Sequence, residues 1–239
     1  MNQTLTIFRG LFEDDLHLLR NPACLNCDPE IKHPLLPWLV GRDFHKTKEK
    51  IVFVGKPHRG APGDVLDSGI LDPTSCVGGS NGLWHHSWAY WRYTKEIADR
   101  LYNGNGFNSI VFTNSIKCTN TDSLDATTPL MAQMCISELG VIWREFEIIK
   151  PLTAIFYTYN LYPELLRSIP IAIPGTVKEI TPYGYRIPCG KKQLGWWERS
   201  CKTSWAENFR ILVIGHPERM KKVDFINHVI QWVSRDSDA

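Results

Sequence analysis

Cys24 and Cys27 stand in the loop Asn21-Pro22-Ala23-Cys24-Leu25-Asn26-Cys27-Asp28, and a C-x-x-C pair sets two thiolates close together. Two further cysteines are placed where they could complete a sulfur site. Cys118 comes directly after the strand-like run Ile110 to Asn114, and Cys135 lies within a helical pattern. Soft sulfur ligands select zinc or iron–sulfur clusters, whereas ordinary buried thiols behave as small hydrophobes. Cys76, Cys189 and Cys201 have no partner pattern. A second set of chemistry-bearing residues follows three apolar runs: Gly55-Lys56-Pro57-His58-Arg59-Gly60-Ala61-Pro62-Gly63-Asp64, then Thr113-Asn114, then His216-Pro217-Glu218-Arg219. In open α/β sheets, ligands bind beyond the carboxyl ends of the strands. Three polar loops so placed would converge on one crevice.

The elements that must position these groups alternate between strand and helix. Ile51 to Gly55, Ser109 to Asn114, Thr153 to Tyr157 and Arg210 to Gly215 read as buried strands, and Ile169 to Ile173 as a short, proline-bounded fifth. Helices are expected over residues 1–20, from Leu83 to about Tyr102, from Pro129 to Ile149 with Cys135, Leu139, Ile142, Phe146 and Ile149 on one face, and from Val223 to Ser234. Residues 56–82 form a Gly-, Pro- and Asp-rich loop too long for a mere connector, and residues 175–205 read as irregular. This order predicts an α/β fold, a three-layer α/β/α sandwich with a mostly parallel, four- to five-stranded sheet. The whole chain, 1–239, reads as a single domain whose N-terminal segment, 1–45, carries the first cysteine pair.

With 43% apolar and 22% charged residues over 239 positions, the composition is that of an ordinary globular chain. A net charge of +2 permits a polyanionic partner without requiring one, so a nucleic-acid surface must be local. The start of the chain has no signal-peptide pattern, no apolar run suits a membrane span, and seven cysteines is an odd number. The expectation is a monomer in a reducing cytoplasm, with no disulfide framework and no membrane.

Taken together, these stretches resemble the iron–sulfur branch of the uracil-DNA glycosylase superfamily. Phe112-Thr113-Asn114-Ser115-Ile116-Lys117-Cys118 is similar to that branch's strand ending in an asparagine and a cluster cysteine. Cys135 matches the cysteine on the following helix, Glu147-Ile148-Ile149-Lys150-Pro151 the helix end, Cys24 and Cys27 the N-terminal pair, and Gly215-His216-Pro217 the late histidine–proline loop. The resemblance implies a monofunctional DNA glycosylase that everts a pyrimidine nucleotide and hydrolyses its glycosidic bond. It implies a [4Fe–4S] cluster on Cys24, Cys27, Cys118 and Cys135, with zinc as the alternative occupant. It also implies that Asn114 reads the base edge beside Gly55 and Lys56, and that His216 stabilises the departing base. Arg219 or Met220 would wedge into the duplex, and Lys221 and Lys222 would meet backbone phosphates.

The departures fall in the first loop. Lys56 stands where the branch carries a carboxylate, so Asp64 is the first candidate for positioning water and His58 the second. Lys56 also offers a Schiff-base route that would make the enzyme a lyase. The family's stacking aromatic is absent from its usual place, leaving Trp84 or Trp88 for that role. An altered loop 56–82 favours a bulkier base over plain uracil, such as a hypermodified cytosine. Some superfamily members excise altered pyrimidines, and a few act against viral DNA, so repair and antiviral defence both stay open. A catalytically silent DNA-binding or damage-sensing module is the alternative.

Overall fold

The computed structural model describes residues 3–18, 20–27, 34–57, 70–118 and 127–235. Its strands are β1 (Leu39–Val40), β2 (Ile51–Gly55), β3 (Val111–Asn114), β4 (Thr153–Phe156), β5 (Lys178–Glu179), β6 (Arg186–Cys189), β7 (Lys192–Cys201) and β8 (Phe209–Ile214). The α-helices are α1 (Gln3–Gly10), α2 (Pro22–Leu25), α3 (Ala89–Leu101), α4 (Gly106–Ser109), α5 (Pro129–Ala132), α6 (Val141–Ile149), α7 (Pro163–Arg167) and α8 (Lys222–Ser234). Seven strands follow the order β1-β3-β2-β4-β8-β7-β5, and β6 pairs with β7 to make eight. The four central strands, β3-β2-β4-β8, are parallel throughout.

The central strands are buried on both faces almost throughout, which is why they read as mainly apolar runs. Val52, Val54, Ala154, Phe156, Ile211 and Val213 point to one side, where they meet Leu5 and Phe8 of α1 and Ile142 and Phe146 of α6. Ile51, Phe53, Phe112, Ile155, Leu212 and Ile214 point to the other, against Trp91 and Ile97 of α3 and Phe225 and Val229 of α8. The chain passes from β2 to β3 on one side and then to β4 on the other. The order therefore reverses at β2, and its carboxyl end opens the crevice where such sheets take ligands.

Three expectations need correction. The sheet has eight strands rather than four or five, because Leu39–Val40 adds β1 at one edge and residues 175–205 hold β5 and the β6–β7 hairpin instead of irregular chain. Ile169–Ile173 is a turn: Pro170 lies within it and Pro174 follows it, and the Ala172 amide donates to the Ile169 carbonyl at 2.9 Å. The long helix over Pro129–Ile149 is broken. A π-helical turn spans Gln133–Glu138, and Gly140 takes φ +58° before α6 starts, a conformation that glycine reaches without strain. The opening helix likewise ends in a π-helical turn over Leu11–Asp15, and Leu83–His85 is a separate 3₁₀ turn before α3. Among the described residues, no helix is long and apolar enough to cross a membrane.

Candidate nucleobase site and thiol cluster

The ends of the parallel strands are stitched together beyond their ladders. Gly55 and Asn114 are register partners across β2 and β3, and the Ser115 amide and hydroxyl both donate to the Gly55 carbonyl, at 2.8 and 3.0 Å. At the far side, the Tyr159 amide donates to the Ile214 carbonyl at 3.1 Å. These bonds hold the starts of the loops at fixed spacing. Beyond them opens a cavity of about 350 Å³ lined by Trp38, Lys56, Trp88, Tyr90, Asn114 and His216, with Glu218 at its wall. That volume suits a small ligand.

Asn114 sits deep, at 4% exposure. Its neighbours fix the amide orientation: the nitrogen donates to the carbonyls of Thr113 (3.2 Å) and Lys56 (3.1 Å), and the oxygen accepts from Trp38 Nε1 at 3.0 Å. The strand turn below it rests on a buried ion pair. Lys117 Nζ donates to Glu145 Oε2 (2.7 Å), to Thr113 Oγ1 (2.7 Å) and to the Asn114 carbonyl (2.6 Å). Burial pushes the Lys117 ammonium down and the Glu145 carboxyl up, against the attraction between them.

His216 follows β8 and is partly exposed in the cavity. Its Nδ1 accepts the Glu218 amide at 3.3 Å, which assigns the proton of the neutral ring to Nε2. The Tyr90 ring lies parallel to the imidazole, at 5.3 Å and 10°. Its hydroxyl turns inward to Gly55, where a Cβ would stand 1.3 Å from it, so only glycine fits at this strand end. The same point lies 2.9 Å from the Asn114 carboxamide. Among the described residues the buried Tyr90 hydroxyl has no hydrogen-bond partner, and burial raises its pKa well above the ordinary phenol value.

Of the aromatic candidates, Trp88 lines the cavity and is 54% exposed, whereas Trp84 is buried against Phe107 and away from the cavity. Trp84 is thus a core residue and not a stacking platform, because the 3₁₀ turn at Leu83–His85 points it into the sheet-side core. Asp64 and His58 lie outside the described residues. Glu218 is the carboxylate that lines the cavity among the described residues. Sequence reasoning missed Tyr90, Trp38 and Glu218 as site residues. Only Glu218, next to the histidine–proline pair, carried a signal that could have found it.

Arg219, Met220 and Lys221 stand on the loop after His216 and line a neighbouring groove. Lys222 instead begins α8 and is held by Glu96 of α3.

The four thiols come from α2 and its flank, the end of the β3 loop, and the π-helical turn. Asn21 caps α2 through a 2.9 Å bond to the Ala23 amide, and the Cys27 amide donates to the Cys24 carbonyl at 3.1 Å. Cys27 and Cys118 pack against the small cluster around Cys135, Ile136 and Met131. The sulfurs are close enough to act on one another. Burial, then Cys135 and Cys27, pushes Cys24 up to about 12; burial, then the other three thiols, raises Cys118 well above the ordinary thiol value. Cys135 is raised to about 11 by burial and by Cys27, while the Lys117 backbone amide hydrogen-bonds its sulfur. Among the described residues, no three or more His, Cys, Asp or Glu side chains form a ready-made ion site. The four residue types are those a thiolate-bound centre uses, in which a cation would offset the mutual repulsion of the sulfurs. The chain matches no family model, and no curated protein matches it.

Proposed function

We propose that the chain is a DNA glycosylase that excises a pyrimidine base, a modified one in preference to plain uracil, with the fold and cluster of the uracil-DNA glycosylase superfamily. One observation carries the reading: Asn114 and His216, 102 positions apart in the sequence, share one aromatic-walled cavity at the carboxyl ends of the parallel strands. An everted base enters between Trp88 and Tyr90. Asn114, its amide nitrogen held by the Thr113 and Lys56 carbonyls and its oxygen by Trp38, presents the remaining lone pair of that oxygen to the base edge.

The bond from C1′ to the base nitrogen breaks, and its electron pair leaves with the base. The Nε2 proton of His216 faces that developing charge as a hydrogen-bond donor. The oxygen of a water molecule bonds to C1′, and the water's proton neutralises the released base. Glu218 is the carboxylate available to hold that water, a role for which Asp64 and His58 are the other candidates. Cys24, Cys27, Cys118 and Cys135 would hold a [4Fe–4S] cluster or zinc. Such a centre supplies a structural cross-link between the leader and the sheet.

The catalytically silent binder draws support from Lys56, a cation where the resembling branch has a carboxylate. The test incubates the protein with duplexes bearing uracil, a thymine mismatch or hypermodified cytosines, followed by mass spectrometry of released base and alkaline cleavage. Release of one base, slowed about 10²- to 10³-fold by His216→Ala, is expected. Retention of DNA with no base released from any duplex favours the binder and refutes the enzyme.

A further inference from the structure

The β6–β7 hairpin is the part of the fold that the sequence did not announce, and its tip lies against the loop that follows His216. Cys189 and Lys192 are register partners, so Gly190 and Lys191 form a two-residue turn, with Gly190 at φ +65°. Three contacts lock that turn to the other loop. The Gly190 amide donates to Asp224 Oδ2 at 2.9 Å, the Cys189 thiol lies 3.7 Å from the Lys221 carbonyl, and the Lys221 side chain covers the Gly190 α-carbon. On its other side the loop is pinned by Tyr93, whose hydroxyl donates to the Met220 carbonyl at 2.9 Å.

Between the two loops runs a groove of about 670 Å³ edged by Lys191, Lys192, Arg219 and Lys221. All four cations are exposed. Asp224 is the carboxylate on its wall, and it is already engaged by Lys221 at 3.2 Å and by the Gly190 amide. Among the described residues, Lys191, Lys192 and Arg219 have no ion-pair partner. In a chain whose net charge is only +2, this concentrates positive potential at one place. The groove also adjoins the nucleobase cavity, because Glu218 lines one and Arg219 and Met220 line the other.

We propose that the hairpin tip and the 219–221 loop form a phosphodiester-binding groove that grips one strand of DNA beside the everted nucleotide. Lys191 and Lys192 then contact backbone phosphates that the loop after His216 cannot reach alone. The contacts beneath the groove favour this, since the hairpin turn and the 219–221 loop that carry the cations are already tied together before any ligand binds. The inference rests on the glycosylase reading for its choice of DNA, but its test does not depend on base release.

The test titrates a fluorescent duplex containing one tetrahydrofuran abasic analogue, by anisotropy over a series of KCl concentrations. It compares the wild type, Lys191→Ala, Lys192→Ala, the double variant, and Lys178→Ala on the distant β5 edge. Each groove lysine is expected to lower the slope of log K against log salt by about 0.9 and to weaken binding. Lys178→Ala should change neither. Salt-dependent binding by the wild type with unchanged slopes in all groove variants overturns the groove while leaving the nucleobase cavity standing. Equal affinity for a polyglutamate peptide marks a docking surface for acidic protein and also overturns it. A wild type that shows no salt-dependent DNA binding sinks the nucleic-acid reading and the groove together.

Discussion

Replacing Lys117 by methionine probes the support beneath Asn114 without touching the cavity. The side chain is 1% exposed and its partner Glu145 is 0% exposed, so neither charge is relieved by water. In Lys117→Met the Glu145 carboxylate keeps the Thr113 hydroxyl at 3.0 Å as a donor, while its other oxygen, Oε1, already lacks a partner among the described residues. The Asn114 carbonyl also loses the ammonium that now donates to it. Removing one member of a buried pair costs about 3–5 kcal/mol, because the remaining charge is stranded. For a chain of this size the urea slope is about 3 kcal/mol/M, so the midpoint should fall by roughly 1–1.7 M.

Lys117→Met/Glu145→Leu should behave differently. Burial outweighs attraction for both partners, shifting each toward its neutral form, so the intact pair adds little net stability. The double variant should therefore recover most of the loss, to within about 1–2 kcal/mol of wild type. Urea unfolding followed by tryptophan fluorescence, on preparations of matched metal content, gives both numbers. A single variant within about 1 kcal/mol of wild type, or a double variant no better than the single, refutes the reasoning.

Tyr90→Phe keeps the ring parallel to His216 and deletes a buried hydroxyl that has no partner among the described residues, so thermal stability should rise by the equivalent of about 1 kcal/mol. A lower melting temperature would mean that the hydroxyl is satisfied. Cys135→Ser, at the most buried of the four thiols, should lower iron or zinc bound per chain, read by metal analysis together with visible absorbance. Unchanged metal content would count against a thiolate-bound centre.

Much of the parallel core was legible because its strands obey one rule. Ile51–Gly55 is buried throughout with nothing polar in it, Phe209–Ile214 is interrupted only by the half-buried Arg210 near its start, and polar residues follow at the carboxyl ends. The hairpin was illegible for the opposite reason. In β7, Glu198 and Arg199 are both buried, and they break the apolar pattern that marks a strand. Their charges are met largely by groups distant in sequence: Glu198 pairs with Arg235 at 3.6 Å, and Arg199 donates to the carbonyls of Leu166 and Arg167 at 2.6 and 2.7 Å. No local window contains those partners. The same holds for the break at Gly140, which moves the Cys135 turn out of line with α6 although the apolar spacing runs straight through it.

The candidate site divides along that line. Asn114 and His216 could be named because they follow strands whose order in the sheet is itself readable, so their meeting is a consequence of topology. Tyr90 and Trp38 could not, since each reaches the cavity through one contact that depends on packing: the Tyr90 hydroxyl against the bare α-carbon of Gly55, and the Trp38 indole against the Asn114 amide. Gly55 is the hinge between the two kinds of information. Its place in the sequence is that of a strand-ending glycine, and its lack of a side chain leaves room for the hydroxyl of Tyr90, 35 residues later on α3. A cavity assembled this way can change its occupant by exchanging the aromatic residues of the α3 entrance while the strand ends stay fixed. On the function proposed above, that argues for looking at Trp88 and Tyr90, rather than Asn114, for the choice among pyrimidines.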